Sequence, residues 1–274
     1  MSALVLASST ASTSAPAHVA SARHDPARPI GRVFVDRYLN GPRGFANGGF
    51  AAGSIAQHVD SETVSVVLRR PVPVARALDV FDDGDGAVVV RDGGKTIARG
   101  FPSALAAGPA PTAPSFADAQ LARARHPLAG VRHPLSDCVV CGPRRLDGMH
   151  VTPGALAGRR HELAAPWTVT SAFSHAGSAW YAAVWGALDC TSYPAVALEQ
   201  RVVCLLGTMT ARIERRPLVG EHLVVHSWTR ETSGRRYETS VAMTDERGDE
   251  VARADATWIA VARRGLASVI RWLR

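Results

Sequence analysis

Val66-Val67-Leu68-Arg69-Arg70-Pro71-Val72-Pro73 returns, in altered form, as Ala211-Arg212-Ile213-Glu214-Arg215-Arg216-Pro217-Leu218-Val219. In both places a strand-like apolar run ends on Arg-Arg-Pro, where proline removes a ladder donor and closes the strand. A second short apolar run follows each, Leu78-Asp79-Val80 in the first case and Leu223-Val224-Val225 in the second. Each copy then reaches a Gly-x-x-(Ile/Val)-Ala-Arg motif: Gly94-Lys95-Thr96-Ile97-Ala98-Arg99 and Gly248-Asp249-Glu250-Val251-Ala252-Arg253. The interval between the motifs is longer in the second copy, which requires a longer hairpin there. The 274-residue chain thus reads as two degenerate copies of a unit of about 100 residues.

Each copy carries one helical stretch ahead of its strands. In the first, Asn47 is a good N-cap for Gly48-Gly49-Phe50-Ala51-Ala52-Gly53-Ser54-Ile55-Ala56-Gln57-His58-Val59. Its sides are Ala, Gly and Ser rather than Leu or Lys, which predicts a helix buried all round and closely wrapped by a sheet. Strands are predicted over 63–70, 76–82, 86–92 and 95–101, with Asp82-Asp83-Gly84-Asp85-Gly86 and Asp92-Gly93-Gly94 as hairpin turns. In the second copy a strand near 159–165 precedes a helix over 177–189, and strands follow near 202–214, 221–231, 234–245 and 249–262. The expected organisation is a disordered Ala/Ser/Thr/Pro-rich tail over 1–28, a first unit over 29–106 and a linker over 107–150. That linker carries one helix, over 116–125, and a Cys-x-x-Cys loop; a second unit over 151–264 and a short basic end over 265–274 complete the chain.

With 46% hydrophobic and 20% charged residues, the chain has enough apolar surface for one large core or two fused ones. A net charge of +7 attracts polyanions in general. The arginines are scattered, however, and no basic run is interleaved with aromatics. Nucleic acid is therefore not expected as a partner, whereas a small phosphate-bearing molecule suits the charge. No apolar run approaches the ~20 residues that cross a bilayer, so no membrane partner is expected. The opening Met1-Ser2-Ala3-Leu4-Val5-Leu6-Ala7 lacks the positive start of a signal peptide, and the four cysteines then read as reduced thiols in a cytoplasm.

A buried helix wrapped by an antiparallel sheet, present twice in one chain, is an α+β double hotdog. The second copy resembles the hotdog-fold acyl-CoA thioesterases of the phenylacetyl-CoA type. It has their helix ending in Ala187-Leu188-Asp189, a strand into Arg216-Pro217, a Gly220-Glu221 turn, a long hairpin and the final strand from Gly248 through Ala254. The first copy matches through Asn47-Gly48-Gly49, where such families carry His-Gly-Gly. Cys138-Val139-Val140-Cys141-Gly142-Pro143, with Trp185-Gly186-Ala187-Leu188-Asp189-Cys190, is similar to an actinobacterial group of thioesterase-like proteins. The resemblance spans 32–262 and implies a cytoplasmic hydrolase of acyl thioesters, carried on coenzyme A or an acyl-carrier protein, in fatty acid metabolism. It implies no cofactor beyond the coenzyme A of the substrate. Exposed sheet edges imply a homo-oligomer. Hotdog domains also serve other chemistries, so a non-catalytic acyl-ligand binder and a dehydratase or cyclase acting on a polyketide or fatty acyl chain stay open.

Thioester hydrolysis needs a polarised carbonyl and a water handled by a base. A helix N-terminus offers unpaired N–H groups, and glycine lets a ligand come close to them. The resemblance implies that the N–H of Gly49 or of its neighbour meets the thioester oxygen, with Asn47 beside it and Gly48 lining the approach. Asp189, an acid at the unfavourable end of an apolar helix, would act as base or nucleophile, and Gln57 would hold its water. The copies are not equivalent. The second lacks a Gly-Gly at its helix start, and the first offers Gln57, His58 and Asp60 where the second has Asp189. One composite site and one decayed site follow. His58 and Trp185 are taken to line the substrate cleft, and Arg144 and Arg145 to meet coenzyme A phosphates.

Three departures from the pattern stand out: Asn47 replaces His, the interval from helix start to Asp189 is longer, and the connection from Asp189 to Arg216 is expanded. Cys138-x-x-Cys141 has the shape of a zinc knuckle, but zinc takes four ligands and no second Cys-x-x-Cys exists. Cys190, Cys204, His133 and His150 are the candidate partners. The expectation is nevertheless a tight covering loop, a packed Cys190 thiol and no metal. P-loop, dinucleotide-binding, His-Glu-x-x-His and Gly-x-Ser-x-Gly motifs are missing.

Overall fold

The structure is a computed structural model describing residues 28–127, 136–143 and 145–261. The expected N-terminal tail (except residue 28), the basic C-terminal end, His133 and Arg144 lie outside the described residues. The first half comprises β1 (Gly31–Phe34), α1 (Gly48–Ala56), β2 (Thr63–Leu68), β3 (Ala77–Asp82), β4 (Val88–Asp92) and β5 (Lys95–Pro102). A connecting helix α2 (Phe116–Ala124) follows. The second half comprises β6 (Gly154–Ala155), β7 (Glu162–Thr168), a small hairpin of β8 (Ser174–His175) and β9 (Ser178–Ala179), and α3 (Tyr181–Thr191). It continues with α4 (Ala195–Glu199), β10 (Cys204–Ile213), β11 (His222–Ser233), β12 (Arg236–Thr244) and β13 (Glu250–Ala260).

Eleven strands form one antiparallel sheet in the order β1-β3-β4-β5-β2-β10-β13-β12-β11-β7-β6. Read outward from its middle, the order repeats: β2, β5, β4, β3, β1 on one side and β10, β13, β12, β11, β7 on the other. The two Arg-Arg-Pro strands are therefore neighbours at the centre. Arg69 and Arg70 both donate their amides to Ile97 O, and Glu214 and Arg215 both donate to Val251 O. Four residues back from each pair lie Ser65 and Thr210, which face each other in the β2–β10 register and share a 3.0 Å hydroxyl hydrogen bond. Equivalent residues that touch each other mark a pseudo-two-fold axis. The chain is a double hotdog, two helix-wrapping units fused through one continuous sheet.

The helices lie against each other on the concave face. Gly49 and Gly53 of α1 meet Gly186, Trp185 and Ala182 of α3 in reversed order, so the pair is antiparallel. A Cβ at Gly49 would stand 2.3 Å from Trp185 O, and one at Gly53 would stand 2.7 Å from the Ala182 Cα. Only glycine permits this approach, and the small-residue composition of α1 has its cause here. Phe50, Ile55, Trp167, Phe173, Trp185 and Leu188 fill the remaining space at 2% exposure or less. Burying each such side chain contributes about 1.5–3 kcal/mol.

The segment between the halves is a strap across the outer face of the second half. Ala106 N donates to Asp255 Oδ2 at 2.6 Å, Arg253 donates to Gly108 O at 2.7 Å and Arg159 to Thr112 O at 2.6 Å. Ser115 and Asp118 then form a reciprocal capping box that starts α2. Ala119 and Ala122 of α2 pack on Ala164 of β7 and Val224 of β11.

Candidate active site

Asn47 caps α1 by accepting from Phe50 N at 3.0 Å, which leaves its amide nitrogen free to reach across the seam. That nitrogen donates to Asp189 Oδ2 at 3.0 Å, and Gly49 N donates to the same oxygen at 2.9 Å. The resulting pair of contacts explains an acid in the last turn of α3. Asp189 sits at the negative end of its own helix but against the positive N-terminus of α1. It is buried at 3% exposure, and its second oxygen, Oδ1, has no hydrogen-bond partner. Burial pushes its carboxyl from the usual carboxylate range up to about 7; the Gly49 and Asn47 donors pull it back, and negative charge on Cys138 adds to the rise.

Of the two amides expected to meet a thioester carbonyl, that of Gly49 or of its neighbour, the Gly49 N–H is donated to Asp189. The next amide toward the helix start, Gly48 N, makes no hydrogen bond among the described residues. Gly48 is half-buried, and a Cβ there would meet Leu206 Cδ2 at 3.1 Å and Asp189 Oδ2 at 3.2 Å. Leu206 reaches this position beside a register shift between Leu206 and Thr208 in β10, where Gly207 interrupts the pairing with β13. Bulges re-aim side chains in this way next to functional sites. Nothing in the sequence marked Leu206, since the bulge depends on strand pairing.

The other expected participants lie elsewhere. Gln57 follows the last turn of α1, at the opposite end from Asn47, and its amide donates weakly to Gly53 O of its own helix at 3.4 Å. A nine-residue helix is about 13 Å long, so Gln57 is out of reach of a water beside Asp189. It lines an open cleft of about 460 Å³ with Asp60, Ser61, Glu62 and Tyr181 instead. His58 packs its ring on Gly31 at the start of β1, where a Cβ would stand 2.8 Å from the ring. Trp185 is fully buried between the helices, as core. Arg145 is engaged on every side. It donates to Asn40 Oδ1 at 2.5 Å, to Asp137 O at 3.0 Å, to Tyr38 O and to the Asp147 carboxylate, leaving no fork for a phosphate. It braces the Cys-x-x-Cys loop against the chain leading into α1.

No family model matches the chain, and no curated protein matches its sequence. Solved structures match in fold. The tesB protein of Mycobacterium avium subsp. paratuberculosis aligns with a TM-score of 0.50 at 14% identity, over 80% of this chain and 89% of that one. A candidate thioesterase II from Thermobifida fusca gives 0.50 at 18% identity over 85% and 94% of the two chains. A candidate thioesterase from Novosphingobium aromaticivorans gives 0.56 at 11% identity over 84% and 95%. At such identities the likeness is one of architecture. The class it defines is the double hotdog.

Proposed function

We propose that the chain hydrolyses acyl thioesters, of coenzyme A or of a carrier protein, at a single composite site where the start of α1 meets the end of α3. The observation that carries this reading is the Asp189 carboxylate, held through one oxygen by Gly49 N and Asn47 Nδ2 while the other oxygen has no partner. An acid fixed by one oxygen and idle at the other is arranged to take a proton. In the proposed reaction the Gly48 N–H polarises the thioester carbonyl, the Gly49 N–H being held by Asp189. Asp189 Oδ1 accepts a proton from water as the water oxygen bonds to the carbonyl carbon. The carbon–sulfur bond then breaks, and the same proton passes from Asp189 to the departing sulfur. Asn47 keeps the carboxylate oriented, as a positioning residue. Substrate approaches over Gly48 and Leu206. The named neighbours from Thermobifida and Novosphingobium support the reaction class by their descriptions, and the shared fold supports it by analogy.

The burial of both Asp189 and Asn47, each 3% exposed, favours a second reading, a non-catalytic acyl-ligand binder. Asp189→Asn separates the two. It keeps an oxygen for the Gly49 and Asn47 donors but removes the base. Thiol release from a panel of acyl-CoA chain lengths is expected to fall by about 10²–10⁴ with ligand affinity kept. Wild-type protein releasing no thiol from any chain length, or equal release by the variant, would sink the hydrolase.

Helices among the described residues are too short or too polar to cross a membrane. Self-association through the edge strand β1, whose Ile30 and Phe34 neighbourhood is exposed at 45% and 57%, belongs to the same proposal.

A further inference from the structure

We infer that Cys138, Cys141 and Cys190 form a binding site for a soft, thiophilic divalent cation of the zinc class, built directly behind Asn47 and Asp189. The three sulfurs all lie within 4.8 Å of one another. Cys138 Sγ and Cys190 Sγ are 3.9 Å apart. Zinc–sulfur bonds of about 2.3 Å in tetrahedral geometry put neighbouring sulfurs about 3.8 Å apart, so one edge of the site is already formed and the others close by about 1 Å or less. A disulfide would use two of these sulfurs and leave the third without a function. A metal uses all three.

The surroundings suit thiolate ligands. Cys138 Sγ accepts hydrogen bonds from the backbone of Val140 and Cys141, the pattern of a turn folded around a negatively charged sulfur. Asn47 Nδ2, besides its bond to Asp189, lies 3.5 Å from Cys190 Sγ and 3.8 Å from Cys138 Sγ, a donor shared between the sulfurs from the next layer out. The turn itself is committed. A Cβ at Gly142 would stand 2.5 Å from Cys138 O, so the residue after Cys141 must be glycine. Val139 N donates to Asn40 O at 2.8 Å, Met149 N to Val139 O at 2.7 Å and Val151 N to Val140 O at 2.8 Å. Together with Arg145, these bonds fix the loop before any ion arrives. Cys141 and Cys190 are partly exposed, which gives an entry path.

Among the described residues no fourth His, Cys or carboxylate joins the cluster, so the remaining coordination position belongs to solvent or to a small exogenous ligand. Soft sulfur donors select against magnesium and calcium. Cys204 is excluded from the site, because it lies in a separate cluster with Tyr237 and Trp258. The ion would tie the inter-unit loop to the last turn of α3 and so hold the seam on which Asn47 and Asp189 meet. Its presence does not depend on hydrolysis.

The test is metal content and cobalt spectroscopy of the full chain, purified under reducing conditions. Zinc analysis is expected to return about one ion per chain, and Co(II) added to the stripped protein is expected to give the intense sulfur-to-cobalt charge-transfer bands of thiolate coordination. Cys138→Ser, Cys141→Ser and Cys190→Ser should each weaken Co(II) binding at least tenfold, whereas Cys204→Ser should leave it within twofold. Wild-type Co(II) spectra need no variant to fold, so the proposal stays testable if a serine variant aggregates. Absence of both bound zinc and thiolate-to-cobalt bands overturns it. So does a spectrum lost equally in Cys204→Ser, and so does a stable disulfide that reforms in the reduced chain in preference to Co(II) uptake.

Discussion

The two ends of the helix pair are related by the pseudo-two-fold axis and have opposite characters. At one end Asn47 caps α1, and both Asn47 Nδ2 and Gly49 N are donated to Asp189 across the seam. At the other end α3 begins at Trp180 without any side-chain cap, and Gln57 turns back on its own helix beside an open cleft. Duplication supplies two seams, but a polar centre needs an acid, a glycine-bearing helix start and a capping amide together. Only one seam has all three. The outer faces differ as well. In the first half Phe81 lies under Arg91 at 4.9 Å and stays half-buried. In the second half the strap and α2 cover the sheet and bury His226 at 1% exposure.

On the proposed hydrolysis, removing the acid from the Asn47–Asp189 seam has the largest expected effect, the loss of about 10²–10⁴ in thiol release for Asp189→Asn. Disruption of the seam's close approach is next. Gly49→Ala places a methyl 2.3 Å from Trp185 O, and Gly48→Ala places one at 3.1 Å from the movable Leu206 side chain. Gly49→Ala is expected to lower stability by about 3 kcal/mol or more in urea unfolding, and Gly48→Ala by clearly less. Equal losses would mean that the helices are not held together at Gly49.

A smaller effect tests the covered outer face. Burial, reinforced by the Arg159 and Arg253 charges, holds His226 at about 4, and neither ring nitrogen has a partner. Its ordinary unfolded value is about 6.5, so between the two the unfolded chain binds a proton that the folded chain does not. The associated stability is complete above about 6.5 and is lost as pH falls toward about 4, by about 2 kcal/mol between pH 7 and 5. Unfolding midpoints at the two pH values measure it, and His226→Leu should flatten the slope. The smallest effects on turnover belong to Gln57→Ala and Arg145→Ala. The first is expected to leave turnover within about twofold, because Gln57 lies at the other pole of the helix pair. The second is expected to cost about 1–3 kcal/mol of stability through its unpaired partners without raising KM for acyl-CoA. A tenfold KM increase would return Arg145 to phosphate binding.

Much of the fold was legible because its signals are local. The Arg-Arg-Pro repeats follow β2 and β10, the Gly-x-x-(Ile/Val)-Ala-Arg repeats lead into β5 and β13, and the helix expected after Asn47 is α1 with Asn47 as its cap. The predicted helix over 116–125 is α2 almost to the residue. What depends on long-range packing was not legible. Gln57 and Asp189 both lie at helix C-termini, and the antiparallel packing of α1 and α3 puts those ends at opposite poles of the seam. Cys138 and Cys190 are 52 positions apart in sequence, and only the fold brings their sulfurs to 3.9 Å. The short helix α4 escaped notice, being a single turn fixed by tertiary packing against β11 rather than by a strong local pattern.

The sequence alone determined the duplication, the glycine-rich character of α1 and the cap that starts it, because strand ends, turns and caps are decided within a few residues. Tertiary structure decided which polar groups share a site. Hydrogen bonds such as that from Gly49 N to Asp189 Oδ2 act over about 3 Å but join residues 140 positions apart, and only the crossing of two antiparallel helices closes that gap.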